Sequence, residues 1–264
     1  MQVVVTGAGS ALGQALLREI VARAALVRTD GQATAVARVI AVDRTQPAAL
    51  FLDRRIEYVR GDYEQPRFLA RMMGASTDSV FHLSVLGAGL GSAATPADLD
   101  VALLRSFDAT RALLEACRYQ RVPPRMVLAS TMEAKLQTGP WPQTTDGVCA
   151  ALCELLVVES ARRRIVQARC VRLPCVVGNG SCGEDRALQA LLADVAAGRA
   201  PPEAAQATTQ SAIALPSEAA GALVDAHECT AKSPEEPEII EIAGRRARIA
   251  ELAASGATAQ PPGS

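Results

Sequence analysis

Lysine, histidine and the aromatic residues are scarce in this chain. Of 264 residues, 3% are aromatic, Lys occurs only at Lys135 and Lys232, and the histidines are His82 and His227. Seven cysteines occur without a Cys-x-x-Cys pair. Too few ligands stand at metal spacing, so no metal site is expected, and the cysteines read as reduced thiols of a cytoplasmic protein. A net charge of −1 with acids and bases interspersed provides no basic stripe for nucleic acid or a membrane surface. No apolar run reaches the ~20 residues of a bilayer span. The N-terminus opens on a strand pattern rather than a basic-then-apolar leader.

What the chain does have is apolar residues, 49% of the total, enough for one sizeable core. They are organised around the first seventeen positions. The β-branched run Val3 to Val5 feeds a glycine-rich turn, and Leu12, Ala15, Leu16 and Ile20 then recur at helical spacing. Strand, glycine turn and helix are the layout of a dinucleotide-binding βαβ unit. Gly7 permits the sharp turn off the strand, and Gly13 lets the helix approach the sheet. The free N–H groups at the helix start favour a pyrophosphate.

Strand and helix patterns then alternate. Strands are expected at 38–43, 57–60, 78–85, 125–130 and 168–173, with helices at 65–73, 96–119 and 147–164. This spacing predicts an α/β fold, a parallel sheet covered on both faces. Past Pro174 the pattern loosens into a Gly/Ser/Cys loop, a helix at 186–197 and a Pro/Ala/Gln/Thr stretch. Short strands at 211–215 and 238–242 flank a helix at 217–229, expected to start on a Ser217 cap. Residues 1–175 are read as the dinucleotide-binding core, 176–252 as a small lobe interleaved with it, and 253–264 as a disordered tail.

Several local motifs carry a family resemblance over residues 1–250. TGAGSALGQ at 6–14 resembles the TGxxGxxG of the extended short-chain dehydrogenase/reductases, with Ser10 in place of the middle glycine. VDR at 42–44, RGDY at 60–63, VFHLS at 80–84, TRALLEAC at 110–117, LAST at 128–131 and RLPCVVG at 172–178 extend the match. The chain is similar to the NAD-dependent epimerase/dehydratase group, in particular to its D-erythronate dehydrogenase-like members. The resemblance implies a Rossmann-like doubly wound sheet with a reduced C-terminal substrate lobe. It also implies a cofactor site of Gly7, Ser10, Ala11, Leu12, Gly13, Asp43, Arg44, Asp62, Tyr63, Leu83 and Ser84. Asp43 on the ribose hydroxyls would favour NAD, whereas Arg44 beside it leaves NADP open.

The catalytic half departs from the pattern. PQTTDGVCAALCELL resembles the family's PxTxYGxxKxxxExL, which puts Asp146 at the Tyr position and Ala150 at the Lys position. No Tyr-x-x-x-Lys occurs anywhere: Tyr58, Tyr63 and Tyr119 are followed four residues later by Asp62, Arg67 and Pro123. The family Asn falls on Ser106, and Thr131 alone survives. Thr131, Glu133 and Asp146 are therefore the candidate catalytic residues, two carboxylates able to divide acid and base roles. The competing readings are helix-entry capping for Asp146 and a solvent-facing loop for Glu133. Lys135 reads as a solvated lysine, Cys149 and Cys153 as small buried hydrophobes, and His227 as a residue without a constellation around it. Ser181 and Cys182 are placed to touch substrate.

The reading that follows is a non-redox catalyst (elimination, isomerisation, cyclisation or decarboxylation) acting on a small polar or biosynthetic intermediate. The alternatives are a residual dehydrogenase or epimerase using Thr131 and a carboxylate, and a non-catalytic pseudoenzyme or heterodimer partner. The resemblance also implies a homodimer through helices 96–119 and 147–164.

Overall fold

Side chains three and five of the first strand point to one side of a sheet, and side chain four to the other. All three are apolar, which dictates a layer on each face. The computed structural model describes residues 1–44, 50–62, 65–83, 96–135, 142, 144–176, 210–229 and 238–248. It begins β1 (Gln2–Thr6), α1 (Ala11–Arg23), β2 (Ala25–Val27), β3 (Ala33–Ala35), β4 (Arg38–Asp43), β5 (Ile56–Arg60), α2 (Pro66–Met73) and β6 (Ser79–His82). Next come α3 (Pro96–Leu103), a π-helical turn (Leu104–Asp108), α4 (Ala109–Cys117), β7 (Arg125–Thr131), a 3₁₀ turn (Met132–Ala134) and α5 (Thr145–Arg162). The remainder is β8 (Gln167–Leu173), β9 (Cys175–Val176), β10 (Gln210–Ala214), α6 (Pro216–Glu228), β11 (Glu238–Glu241) and β12 (Arg245–Arg248).

Seven strands form one sheet in the order β11-β8-β7-β6-β1-β4-β5, every pair parallel. Val4 registers with Ile40 on one side and Val80 on the other. The strand order reverses between β1 and β6, so the crevice at their carboxyl ends is the switch point where such folds take ligands. On one face, Leu12, Leu16 and Ile20 of α1 and Leu223 and Val224 of α6 pack with Val3, Val5, Phe81 and Val127. On the other, Leu69, Leu113, Cys153 and Val157 pack with Val4, Ile40, Val80 and Leu128.

Some expectations are corrected. The middle helix is not continuous. It widens into the π turn at 104–108, where the Thr110 hydroxyl donates to the Ser106 carbonyl at 2.7 Å and competes with the backbone ladder. The α6 start is set by Leu215 and Pro216, not by Ser217. Glu218 reaches back to accept the Leu215 N–H at 2.9 Å. The antiparallel hairpin β2–β3 escaped the sequence because each strand is three residues long. Beyond 176, β11 joins the main sheet, while β10 pairs with β9 and β12 in a separate three-stranded sheet. Cys117, Cys149, Cys153 and Cys170 are buried free thiols. Cys175 is disulfide-bonded, a departure from the wholly reduced set. The segment 186–197, Ser181, Cys182 and the 253–264 tail lie outside the described residues. No helix among the described residues is long and apolar enough to cross a membrane.

Candidate functional site

The glycine turn after β1 is built as the nucleotide chemistry requires. Gly7 has φ of 72°, a conformation that favours glycine. A Cβ at Gly13 would sit 2.4 Å from the Gly7 carbonyl oxygen, so only glycine allows this helix-to-turn contact. Ser10 is extended (φ −73°) and needs no glycine. Its side chain folds back, donating to the Gly7 carbonyl at 2.9 Å and accepting the Gly13 N–H at 3.0 Å. The replacement thus caps α1 from within instead of crowding the outer face. Ala11 is exposed at the helix start, whereas the Leu12 side chain is core and can contribute only its backbone.

Asp43, at the end of β4, accepts the Gly9 N–H at 2.7 Å. The turn is therefore tied to the strand whose carboxylate would meet a ribose. Arg44 lies 3.8 Å from Asp62, which brings two predicted cofactor residues together at the carboxyl edge of β4 and β5. Leu83 donates its N–H to the Thr6 carbonyl at 3.2 Å, closing the edge between β1 and β6. Tyr63 and Ser84 lie outside the described residues.

The candidate catalytic residues gather where β7 meets α5. Thr131 ends β7 and its hydroxyl accepts the Glu133 N–H at 3.2 Å, capping the 3₁₀ turn. Glu133 is half-buried, not solvent-facing. Its carboxylate accepts the Thr144 hydroxyl at 2.5 Å, and Thr144 in turn accepts the Gly147 N–H at 3.0 Å. Thr144, not Asp146, is the N-cap of α5. Asp146 lies in the first helical turn, 7% exposed, where the helix dipole favours a negative group. A Cβ on Gly147 would come 2.5 Å from the Glu133 carbonyl oxygen, so glycine there lets the helix seat directly on the turn.

Behind this edge lies a buried polar relay. His82 Nδ1 and Thr6 Oγ1 are 2.6 Å apart, and His82 Nε2 and Thr110 Oγ1 are 2.9 Å apart. Burial pushes His82 down to about 3, so the ring is neutral. Ser106 faces Cys149 and Cys153. Burial pushes Cys153 up to about 12 and raises Cys149 as well, leaving thiols rather than nucleophilic thiolates. Sequence reasoning missed Glu154 and Arg172. Glu154 accepts Ser130 Oγ at 2.6 Å and two Arg172 nitrogens at 2.9 and 2.7 Å. Arg172 also reaches Glu241 at 3.3 Å, and Lys135, exposed as expected, pairs with Glu241 at 2.6 Å. The available signal was the pair of arginines, Arg169 and Arg172, in the strand run ARCVRL. Among the described residues no group of three or more His, Cys, Asp or Glu is placed to hold a metal.

Residues 3–212 match the model of the NAD dependent epimerase/dehydratase family. The chain belongs to this family. Two relatives, the D-erythronate dehydrogenases of Cupriavidus necator and Haemophilus influenzae, are 34% and 30% identical to it over 185 residues. Each match covers 67% of this chain and 55% of the relative, so the chain spans about half the length of these proteins. The crystal structure of the Bordetella bronchiseptica enzyme WbmF in complex with NAD+ superposes with a TM-score of 0.73 at 15% identity. That match covers 96% of this chain and 76% of the other, and it shows a shared fold.

Proposed function

We propose that this family member holds NAD along the carboxyl edges of β1, β4 and β6 and transfers protons on a small polar substrate with Glu133 and Asp146. Gly7, Ala11, Gly13 and the Leu12 backbone would take the pyrophosphate; Asp43 would take the ribose, with Arg44 and Asp62 beside the adenosine. The fit rests on the Gly13 contact, which leaves no room for any other residue, and on Asp43, which already bridges strand and turn. Bound there, NAD supplies hydride chemistry; the chain supplies position and protons. The observation carrying the reading is the 2.5 Å Thr144–Glu133 hydrogen bond. It fixes one carboxylate at the β7 edge, within the 3₁₀ turn on which Gly147, next in sequence to buried Asp146, seats. Glu133 accepts the substrate proton, Asp146 returns one, and Thr131 positions the substrate oxygen.

A dehydrogenase using Thr131 and one carboxylate is the second reading, favoured by the activity for which both relatives are named. A homodimer belongs to the proposal as well. Leu99 and Leu104 on one helical segment and Val148, Leu152 and Leu155 on α5 leave an exposed apolar strip.

Calorimetric titration with NAD, NADH, NADP and NADPH tests the cofactor half, with Asp43→Ala expected to weaken NAD at least tenfold. Incubation with D-erythronate and NAD then reads both substrate loss and NADH absorbance. Loss without NADH, abolished by Glu133→Gln, supports proton chemistry. Matching NADH formation supports the dehydrogenase. Cofactor binding with neither change on D-erythronate, or on a panel of related sugar acids, overturns both and leaves a non-catalytic partner.

A further inference from the structure

The amino edge of the sheet carries a second polar cluster, six residues back along β7 from Thr131 and so roughly 20 Å away. Arg125 opens β7 and Arg169 lies on neighbouring β8; they are 6% and 4% exposed. The Nη2 atoms of both donate to one acceptor, the Cys229 carbonyl, at 2.7 and 2.5 Å. Arg125 Nη1 also reaches the Arg28 carbonyl at 3.2 Å. Neither guanidinium has an ion-pairing carboxylate among the described residues, and the buried Nε of each has no hydrogen-bond partner. Beside them His227 of α6 stacks on Phe81 with ring centroids 5.1 Å apart, and its Nε2 lies 2.8 Å from Ser79 Oγ. The His227 Nδ1 atom is buried and unpartnered. His227 thus has a constellation around it, which the sequence did not reveal.

Two full positive charges converge on one carbonyl at a helix C-terminus, whose dipole supplies only about half a negative charge. Glu228 and Glu238 act on Arg125 and Arg169 respectively, but only as more distant charges. Buried like charges are costly, and among the described residues no carboxylate pairs with these two. Guanidinium forks match tetrahedral oxyanions in geometry, and charge-assisted hydrogen bonds to them are strong. His227 is held neutral, pushed down to about 3 by burial and by the two arginines. In the tautomer where the Ser79 hydroxyl donates to Nε2, the ring proton sits on Nδ1, a donor without added charge. Cys229 is exposed, so the cluster lies one residue beneath the surface.

We propose that Arg125 and Arg169, with His227 beside them, form a site for a small oxyanion of the phosphate or sulfate class at the amino edge of the sheet. It lies at the opposite edge from the nucleotide crevice, so its test is independent of NAD binding. Inorganic phosphate and sulfate are titrated calorimetrically into the full chain, with thermal unfolding in parallel. Wild type should show saturable one-to-one binding and a melting temperature that rises to a plateau. Arg125→Met and Arg169→Met should each weaken binding at least tenfold. Arg169→Lys, which keeps the charge and loses the fork, should fold and still bind several-fold more weakly. General salting-out by these anions would instead be unsaturable and equal in every variant. Glycerol phosphate distinguishes the source: tighter binding than phosphate marks a phosphorylated metabolite, equal or weaker binding the free ion. No saturable binding by wild type, or affinities unchanged in the variants, overturns the proposal.

Discussion

Removing Glu154 alone should harm the protein more than removing it together with Arg172. The Glu154 carboxylate is 4% exposed and accepts three hydrogen bonds, from Ser130 and from two Arg172 nitrogens. Glu154→Ala leaves the largely buried Arg172 with Glu241 at 3.3 Å as its remaining partner and strips the Ser130 hydroxyl of its acceptor. Breaking a buried pair from one side typically costs about 3–5 kcal/mol. Glu241 retains part of the attraction, which argues for the lower end, about 3 kcal/mol, or a melting temperature lower by roughly 10 °C for a chain of this size. Glu154→Leu with Arg172→Met removes both charges and fills the space, so it should fall within about 1–2 kcal/mol of wild type. Urea unfolding followed by far-UV circular dichroism gives both values. A double variant as unstable as Glu154→Ala would mean the damage comes from lost volume, and the electrostatic reasoning would be wrong.

Three further outcomes follow from the same contacts. His82 and His227 are each pushed down to about 3, below the ordinary 6.5, chiefly by burial; the unfolded chain therefore binds more protons. Stability is full above about pH 7 and drains as pH falls toward 3, by about 2 kcal/mol per histidine between pH 7 and 5; His82→Gln should flatten the dependence of the urea midpoint, and an unaltered slope would count against a neutral buried ring. Gly13→Ala puts a Cβ 2.4 Å from the Gly7 oxygen and 2.6 Å from Ala8 Cα, which should cost about 2–3 kcal/mol and abolish dinucleotide binding. Gly221→Ala, in α6 with nothing within 4 Å of the added atom, is the control and should gain up to about 1 kcal/mol. Leu155, 66% exposed on α5, should be replaceable by Glu without loss of secondary structure; light scattering would then read a monomer where wild type is a dimer, and an unchanged mass would refute the helix-mediated dimer.

The centre of the main sheet was legible because β1, β4 and β6 carry apolar runs buried on both faces, and such runs leave little freedom of register. RVIAVD reads as a strand and is one, Arg38–Asp43. Elements whose identity depends on partners distant in sequence were not legible. The β2–β3 hairpin is three residues per strand, too short for a period to emerge. The break in the middle helix coincides with a Thr110 hydroxyl bonded to the Ser106 carbonyl, a side-chain-to-backbone contact that apolar periodicity does not reveal. The Leu215–Glu218 cap shows the same limit. Ser217 has the right chemistry for a cap, but Pro216 fixes the helix start one residue earlier.

The site divides along similar lines. Backbone requirements show in sequence, so Gly7 and Gly13 could be read directly and Ser10 was the open question. Its answer lay in a side chain turned inward onto Gly7 and Gly13. Side-chain constellations assembled from several strands do not show, which is why Glu154–Arg172 and Arg125–Arg169–His227 surfaced only in three dimensions. The positions where the family pattern is broken also differ among themselves. Ala150, at the family's Lys position, is fully buried and packs with Val157, Leu113 and Leu128 in one core layer. Ser106, at the Asn position, is likewise buried, facing two thiols. These two places have been absorbed into packing, and a lysine at 150 would have to displace core. Asp146 and Thr131 instead remain polar at the β7–α5 edge, next to a glutamate held by Thr144. The proposed proton chemistry at this edge draws on these carboxylates and this hydroxyl, since Ala150 puts no cation at the lysine position to depress a phenol.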